Sequence, residues 1–192
     1  MNKNHFFFLS GIACIAAGVF FIADTVADFI IPNNSFGLGI WVSFLGLHGL
    51  TALYFLQREH GGYLNLAGYL LNFTGLAGLI GVGFVNNFIL PNIETSVTQQ
   101  LLSGPLLPIF ITVGVVYLTG ALLFGVAIWR GRIIKPYAAI LYMLGSIPVA
   151  LPPVFPELIV IGGVIFLAIS LVLFGIQILK YSNTTSNLQL GF

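Results

Sequence analysis

The sequence predicts an all-α fold: a polytopic transmembrane bundle of six helices with both the N and C termini in the cytoplasm. Three observations carry this expectation. Hydrophobic residues make up 58% of the 192 residues and charged residues only 6%, and the mean hydropathy is +1.07. A soluble domain carries about 25% charged residues, so this chain lacks the charge to cover a surface facing water. Apolar runs that approach the roughly 20 residues needed to cross a bilayer recur six times. Finally, the basic residues Lys3, Arg58, Arg130, Arg132, Lys135 and Lys180 fall only at the two termini and in alternate connections. That is the positive-inside pattern.

The first helix is expected over 6–31, stopped by Pro32-Asn33-Asn34. Residues 1–5 resemble the n-region of a signal peptide, but the apolar run continues past Phe21, too long for a signal core, so the helix is expected to be retained. The second spans 36–56 and ends at Gln57-Arg58-Glu59-His60-Gly61-Gly62; the third spans 63–90 and ends at Pro91-Asn92. In the connection 92–105, Ile93, Val97 and Leu101 recur every four residues, which predicts a short amphipathic helix on the outer membrane surface, or else a lid. Asn92 is placed to cap it, with Glu94 near its positive end.

The fourth helix spans 106–129 and ends at Arg130-Gly131-Arg132. The fifth, 135–151, is short; Pro148 sits near its end and prolines follow, so it is expected to be kinked or to span only in part. Removing it would put Lys180 on the wrong side of the membrane. The sixth spans 157–179, and 182–192 reads as a flexible polar tail, with Ser182 to Asn187 disordered. Residues 1–181 thus form a single domain. The runs are too long and too evenly apolar for barrel strands, which alternate.

The ends of the first and third helices, Phe29-Ile30-Ile31-Pro32-Asn33 and Phe88-Ile89-Leu90-Pro91-Asn92, hint at a parallel repeat, although Pro and Asn are ordinary helix stops. Small residues four apart, such as Ala13 and Ala17, Ala77 and Gly81, or Ala121 and Gly125, supply close-packing faces. The glycine-dense third and fourth helices are the expected bundle centre. Trp41, Tyr54, Trp129, Tyr137 and Tyr181 sit near helix ends and fit interfacial belts.

Ionisable groups within a membrane are costly, which makes each a candidate. Asp24 and Asp28, four apart on one face, fit a cation at the outer mouth of a cavity; a helix end emerging into headgroups and water is the plainer reading. His48 falls in the middle of the second helix. It differs in depth from Asp24 by roughly 10 Å, so its expected neighbours are Asn72 and Thr74, or Tyr117 and Thr119. A neutral His bonded to a neighbouring helix is the plainer reading. Asn86 and Asn87 near the outer end of the third helix complete a candidate polar pathway of Asp24, Asp28, His48, Asn72, Asn86 and Asn87.

Several classes are disfavoured. A net charge of +1 argues against nucleic acid, and Cys14, the single cysteine, allows no intramolecular disulfide and no thiolate metal site. Of the three His residues, His5 and His60 lie near the inner surface, so none pairs with His48 to hold a haem. There is no nucleophile elbow, HExxH or Walker loop. No catalytic residue, metal or cofactor is expected.

The segments Arg58-Glu59-His60-Gly61-Gly62-Tyr63-Leu64-Asn65-Leu66-Ala67-Gly68 and Leu122-Leu123-Phe124-Gly125-Val126-Ala127-Ile128-Trp129-Arg130 give the chain a pattern that resembles uncharacterised six-span bacterial integral membrane proteins. The resemblance implies six helices and no activity. The leading expectation is a non-enzymatic membrane or complex component of the cell membrane, in a bacterium the inner membrane. Its partners are the lipid bilayer and a second copy or another membrane subunit. The alternatives are a small-solute or ion channel or transporter, and an enzyme acting on a lipid.

Overall fold

The computed structural model describes residues 3–30 and 37–189. All regular structure among them is helical: α1 (Lys3–Ile30), α2 (Leu38–Gln57), α3 (Gly62–Phe84), α4 (Thr95–Ser103), α5 (Leu106–Gly131), α6 (Pro136–Ala150) and α7 (Glu157–Gln189). Five of them, α1, α2, α3, α5 and α7, are long and apolar enough to cross a membrane. The sixth apolar helix, α6, has 15 residues, about 22 Å at 1.5 Å per residue. A bilayer core is about 30 Å thick.

Local chemistry sets the boundaries. Gly37 enters α2 with φ of 64°, a left-handed conformation in which glycine has no Cβ penalty. The stop before it, Pro32-Asn33-Asn34, lies outside the described residues. α3 loosens into a π turn at Val85–Ile89 and a 3₁₀ turn at Leu90–Asn92, where Pro91 ends the ladder. Pro136 starts α6 at its first turn, where its missing N–H is no loss. At the other end of α6, Pro148 lies inside the last turn and Pro152 opens a 3₁₀ turn. Arg132 takes φ of 53° and turns the chain after α5.

Three details differ from the sequence expectation. α4 occupies the 92–105 connection, but its N-cap is Glu94, with no side-chain cap; Asn92 instead donates its amide to the Phe88 carbonyl at 2.9 Å. α7 does not stop near 179. It runs on to Gln189, through the stretch expected to be disordered, because polarity ends an apolar span without ending a helix. Ser182 is buried there and donates to the Asn4 carbonyl at 2.9 Å, so α1 supports the extension. Nor is α3 at the bundle centre. Only 6% of its most apolar stretch is buried, against 28–39% for the other four long helices.

Six helices form a closed ring. Each packs on its neighbours in the order α1, α2, α3, α5, α6, α7, and α7 closes back on α1. Leu53, Phe124, Ile128, Tyr142 and Phe174 face inward as core, while apolar residues such as Leu9, Val19, Phe44, Leu70 and Ile109 stand exposed on the outside. α4 packs on α5 beyond the ring.

The ring has two unlike ends. Arg58 follows α2, Arg130 and Arg132 end α5, and Lys135 precedes α6. Contacts between Gln57 and Gly131, Lys135 and Gln177, and Asn4 and Ser182 bring these termini together, with Lys180 beside them. Asp24, Glu94 and Glu157 belong to the opposite end.

Candidate functional site

The ring encloses a chamber with about 80 Å³ of room for the centres of water-sized molecules. All six ring helices contribute to its wall. On α2 the lining runs from Gly39 to Leu53, and on each of α1, α5, α6 and α7 it includes a pair seven residues apart, such as Cys14 and Phe21. The wall is mostly Leu, Val, Phe and Gly, with Cys14, Ser43, Tyr117 and Tyr142 among them, and no charged side chain of the described residues lines it. At about 24 cal/mol per Å³, leaving such a space unfilled costs about 2 kcal/mol.

Hydroxyls in the interior are tied to one another and to Asn72, whose own carbonyl oxygen is buried with no hydrogen-bond partner among the described residues. Asn72 on α3 is fully buried and donates its amide to the Tyr142 hydroxyl on α6 at 2.7 Å. The Tyr142 and Tyr117 hydroxyls also interact. Tyr117 on α5 meets the Ser146 hydroxyl at 3.2 Å, and Ser146 donates back to the Tyr142 carbonyl at 2.7 Å. Each hydroxyl thus has a place to donate, and three helices are cross-linked where two tyrosines reach the chamber wall. Buried hydroxyls without partners would be costly; here the chain satisfies its own donors.

The six candidate residues do not converge. Asn72 joins the network just described. His48 is exposed on the outer face of α2, and its Nδ1 lies 3.0 Å from the Phe44 carbonyl of its own helix. It therefore faces away from the chamber, and this hydrogen bond stays within α2 rather than reaching Asn72, Thr74, Tyr117 or Thr119. Asp24 is half-buried at the far end of α1, its carboxylate against Gly39 of α2. The side chain of Asp28 lies outside the described residues. Asn86 is exposed in the π turn, and the half-buried Asn87 donates to the Gly83 carbonyl at 2.9 Å. Among the described residues, no three His, Cys, Asp or Glu side chains are grouped so as to hold a metal ion.

Sequence reasoning missed three features. Tyr142 and Ser146 stand four apart on α6, a spacing that could have marked one polar helix face. Gln57 is fully buried at the basic end, and neither of its amide atoms has a hydrogen-bond partner among the described residues. Asn65 beside it donates weakly to the Tyr54 carbonyl at 3.4 Å, and its own carbonyl oxygen has no such partner. The closed ring, and hence the chamber, had no signature at all in the sequence. Comparison with known protein families, with curated proteins and with solved structures finds no match.

Proposed function

We propose that the chain is a six-span integral membrane protein of the cell membrane, with its basic end in the cytoplasm, and that it works as a non-enzymatic membrane or complex component. The observation that carries this is the interior: a closed ring around a chamber with no charged lining, whose buried hydroxyls are already paired within the chain. A polar solute or ion crossing such a core would lose its hydration without compensation. The position of His48 outside the ring argues the same way. Catalysis would need a base and an orienting partner within reach of one another, and no such pair faces the chamber.

The six-span topology draws support from both ends of the chain. The Ser182–Asn4 bond joins the start of α1 to the late turns of α7 at one end of the ring, which fits an even number of crossings. All six basic residues then share that end, as the positive-inside rule asks. α6 is short, but α5 and α7 flank it on both sides, and a short span is accommodated by local thinning of the bilayer.

Two measurements test the proposal. Reporter tags at the N and C termini should both be shielded in intact cells and both become accessible in lysed cells; tags found on opposite sides would break the six-span topology. Proteoliposomes holding the protein should pass ions and small polar solutes no faster than empty liposomes. Flux above that background, reduced by Asp24→Asn or His48→Ala, would replace this reading with a transport pathway.

A further inference from the structure

The shape of the chamber narrows what it can hold. Its lining on α2 extends over 14 residue steps, from Gly39 to Leu53, about 21 Å along the helix axis. On α1, α5, α6 and α7 it extends over seven steps, about 10 Å. Spread along that length, 80 Å³ makes a lane too slim for a ring system and wide enough for one chain of methylenes. By volume it would admit roughly five to eight waters. Each water needs two to four polar partners, and among the described residues the wall offers only Ser43, the two tyrosines and the weakly polar Cys14 thiol, whose polar groups are already engaged within the chain.

A second feature sits in the same wall. Glycines at tight helix crossings are boxed in, yet a Cβ at Gly46 would meet nothing closer than Leu76 Cδ1 at 3.9 Å. Gly46 therefore leaves open space on the chamber side where any larger residue would intrude. Gly39 and Gly49, by contrast, are filled against by the Asp24 carboxylate and the Cys14 sulfur.

From the slim, elongated, uncharged lane we infer that the chamber is a binding site for a single unbranched hydrocarbon chain lying along the ring axis. The chain belongs either to a bilayer phospholipid or to a free long-chain amphiphile; the walls recognise the methylenes that both share. This rests on the bilayer setting proposed above and adds a ligand to it.

The test uses the full chain in phosphatidylcholine nanodiscs with two photoreactive probes. One is a phosphatidylcholine carrying a diazirine in one acyl chain, and the other is a long-chain alcohol carrying the same group. Crosslinks are mapped by mass spectrometry. Labelling of the outward-facing Val19 and Ile176 by the lipid probe reports membrane insertion, so loss of that signal tells against the bilayer setting and not against the chamber. Labelling of Leu50, Phe124 or Leu167 inside the ring is the expected result. Interior labelling by the lipid probe alone identifies a bilayer lipid, and labelling by the alcohol identifies a free amphiphile. Gly46→Leu should cut interior labelling at least tenfold and leave outward labelling unchanged. Gly81→Leu, where a Cβ meets nothing within 4 Å, should change neither. Outward labelling without any interior labelling in the wild-type protein would overturn the inference, whether or not Gly46→Leu folds. Interior labelling that survives in folded Gly46→Leu would overturn it too.

Discussion

The α3–α5 seam and the α2 wall of the chamber are both built on glycine, and they use it in opposite ways. Along the seam, Gly68 and Gly75 of α3 and Gly120 of α5 each face the partner's backbone: a Cβ on Gly75 would strike Tyr117, and one on Gly120 would strike Asn72. On α2, the absence of a side chain at Gly46 leaves space that nothing occupies closely. One set of glycines brings two helices together and the other keeps a lane open. Counting glycines cannot separate the two; what each one faces does.

The sharpest way to break the comparison is at the seam. Gly120→Ala adds a single methyl group and gains about 1 kcal/mol of helix propensity, yet its Cβ falls on the α3 backbone. Overpacking against backbone outweighs propensity, so we expect a net loss of about 1–3 kcal/mol, read as a lower unfolding midpoint in detergent. An unchanged or raised midpoint would mean that the seam is looser than its geometry.

A comparable effect tests whether the polar network braces the seam. Tyr142→Phe strands the buried Asn72 amide and should cost about 1–3 kcal/mol. Tyr142→Phe combined with Asn72→Leu removes both partners and should recover most of that loss, since an apolar pair of similar shape is nearly neutral. A double variant no better than the single one would show that Asn72 contributes through its packing alone. The smallest effect belongs to the outer face: His48→Leu should shift stability within about 0.5 kcal/mol, as surface changes do. A larger loss would place a partner helix against His48.

The helices were legible because hydropathy and helix stops act locally. The apolar runs and the prolines at 91 and 152 mark where helices end, and the basic residues mark the turns at one end. The interior was not legible. Depth along a helix is readable from residue number, which set His48 and Asn72 as neighbours, but facing is not. With α2 apolar on nearly all sides, no periodic stripe told that His48 points out while Ser43, five residues earlier, points in. α3 misled for a related reason. Its glycines mark one intimate contact, with α5, and the rest of the helix is bare. The tail misled because Ser, Thr and Asn disfavour helix by only a few tenths of a kcal/mol each, which one neighbouring helix can offset.

The closure of the ring by its first and last helices has a consequence for biogenesis. The start of α7 is synthesised about 130 residues after the end of α1. At 5–20 residues per second, and in the bilayer setting proposed above, α1 waits about 6–25 seconds beside an unfinished sheaf of helices. Until α7 arrives the sheaf is a cleft open along one side to the surrounding acyl chains, and only the final helix converts it into a chamber. Whatever occupies the interior can therefore be enclosed during synthesis rather than admitted afterwards, and a chain truncated before α7 would be left an open trough.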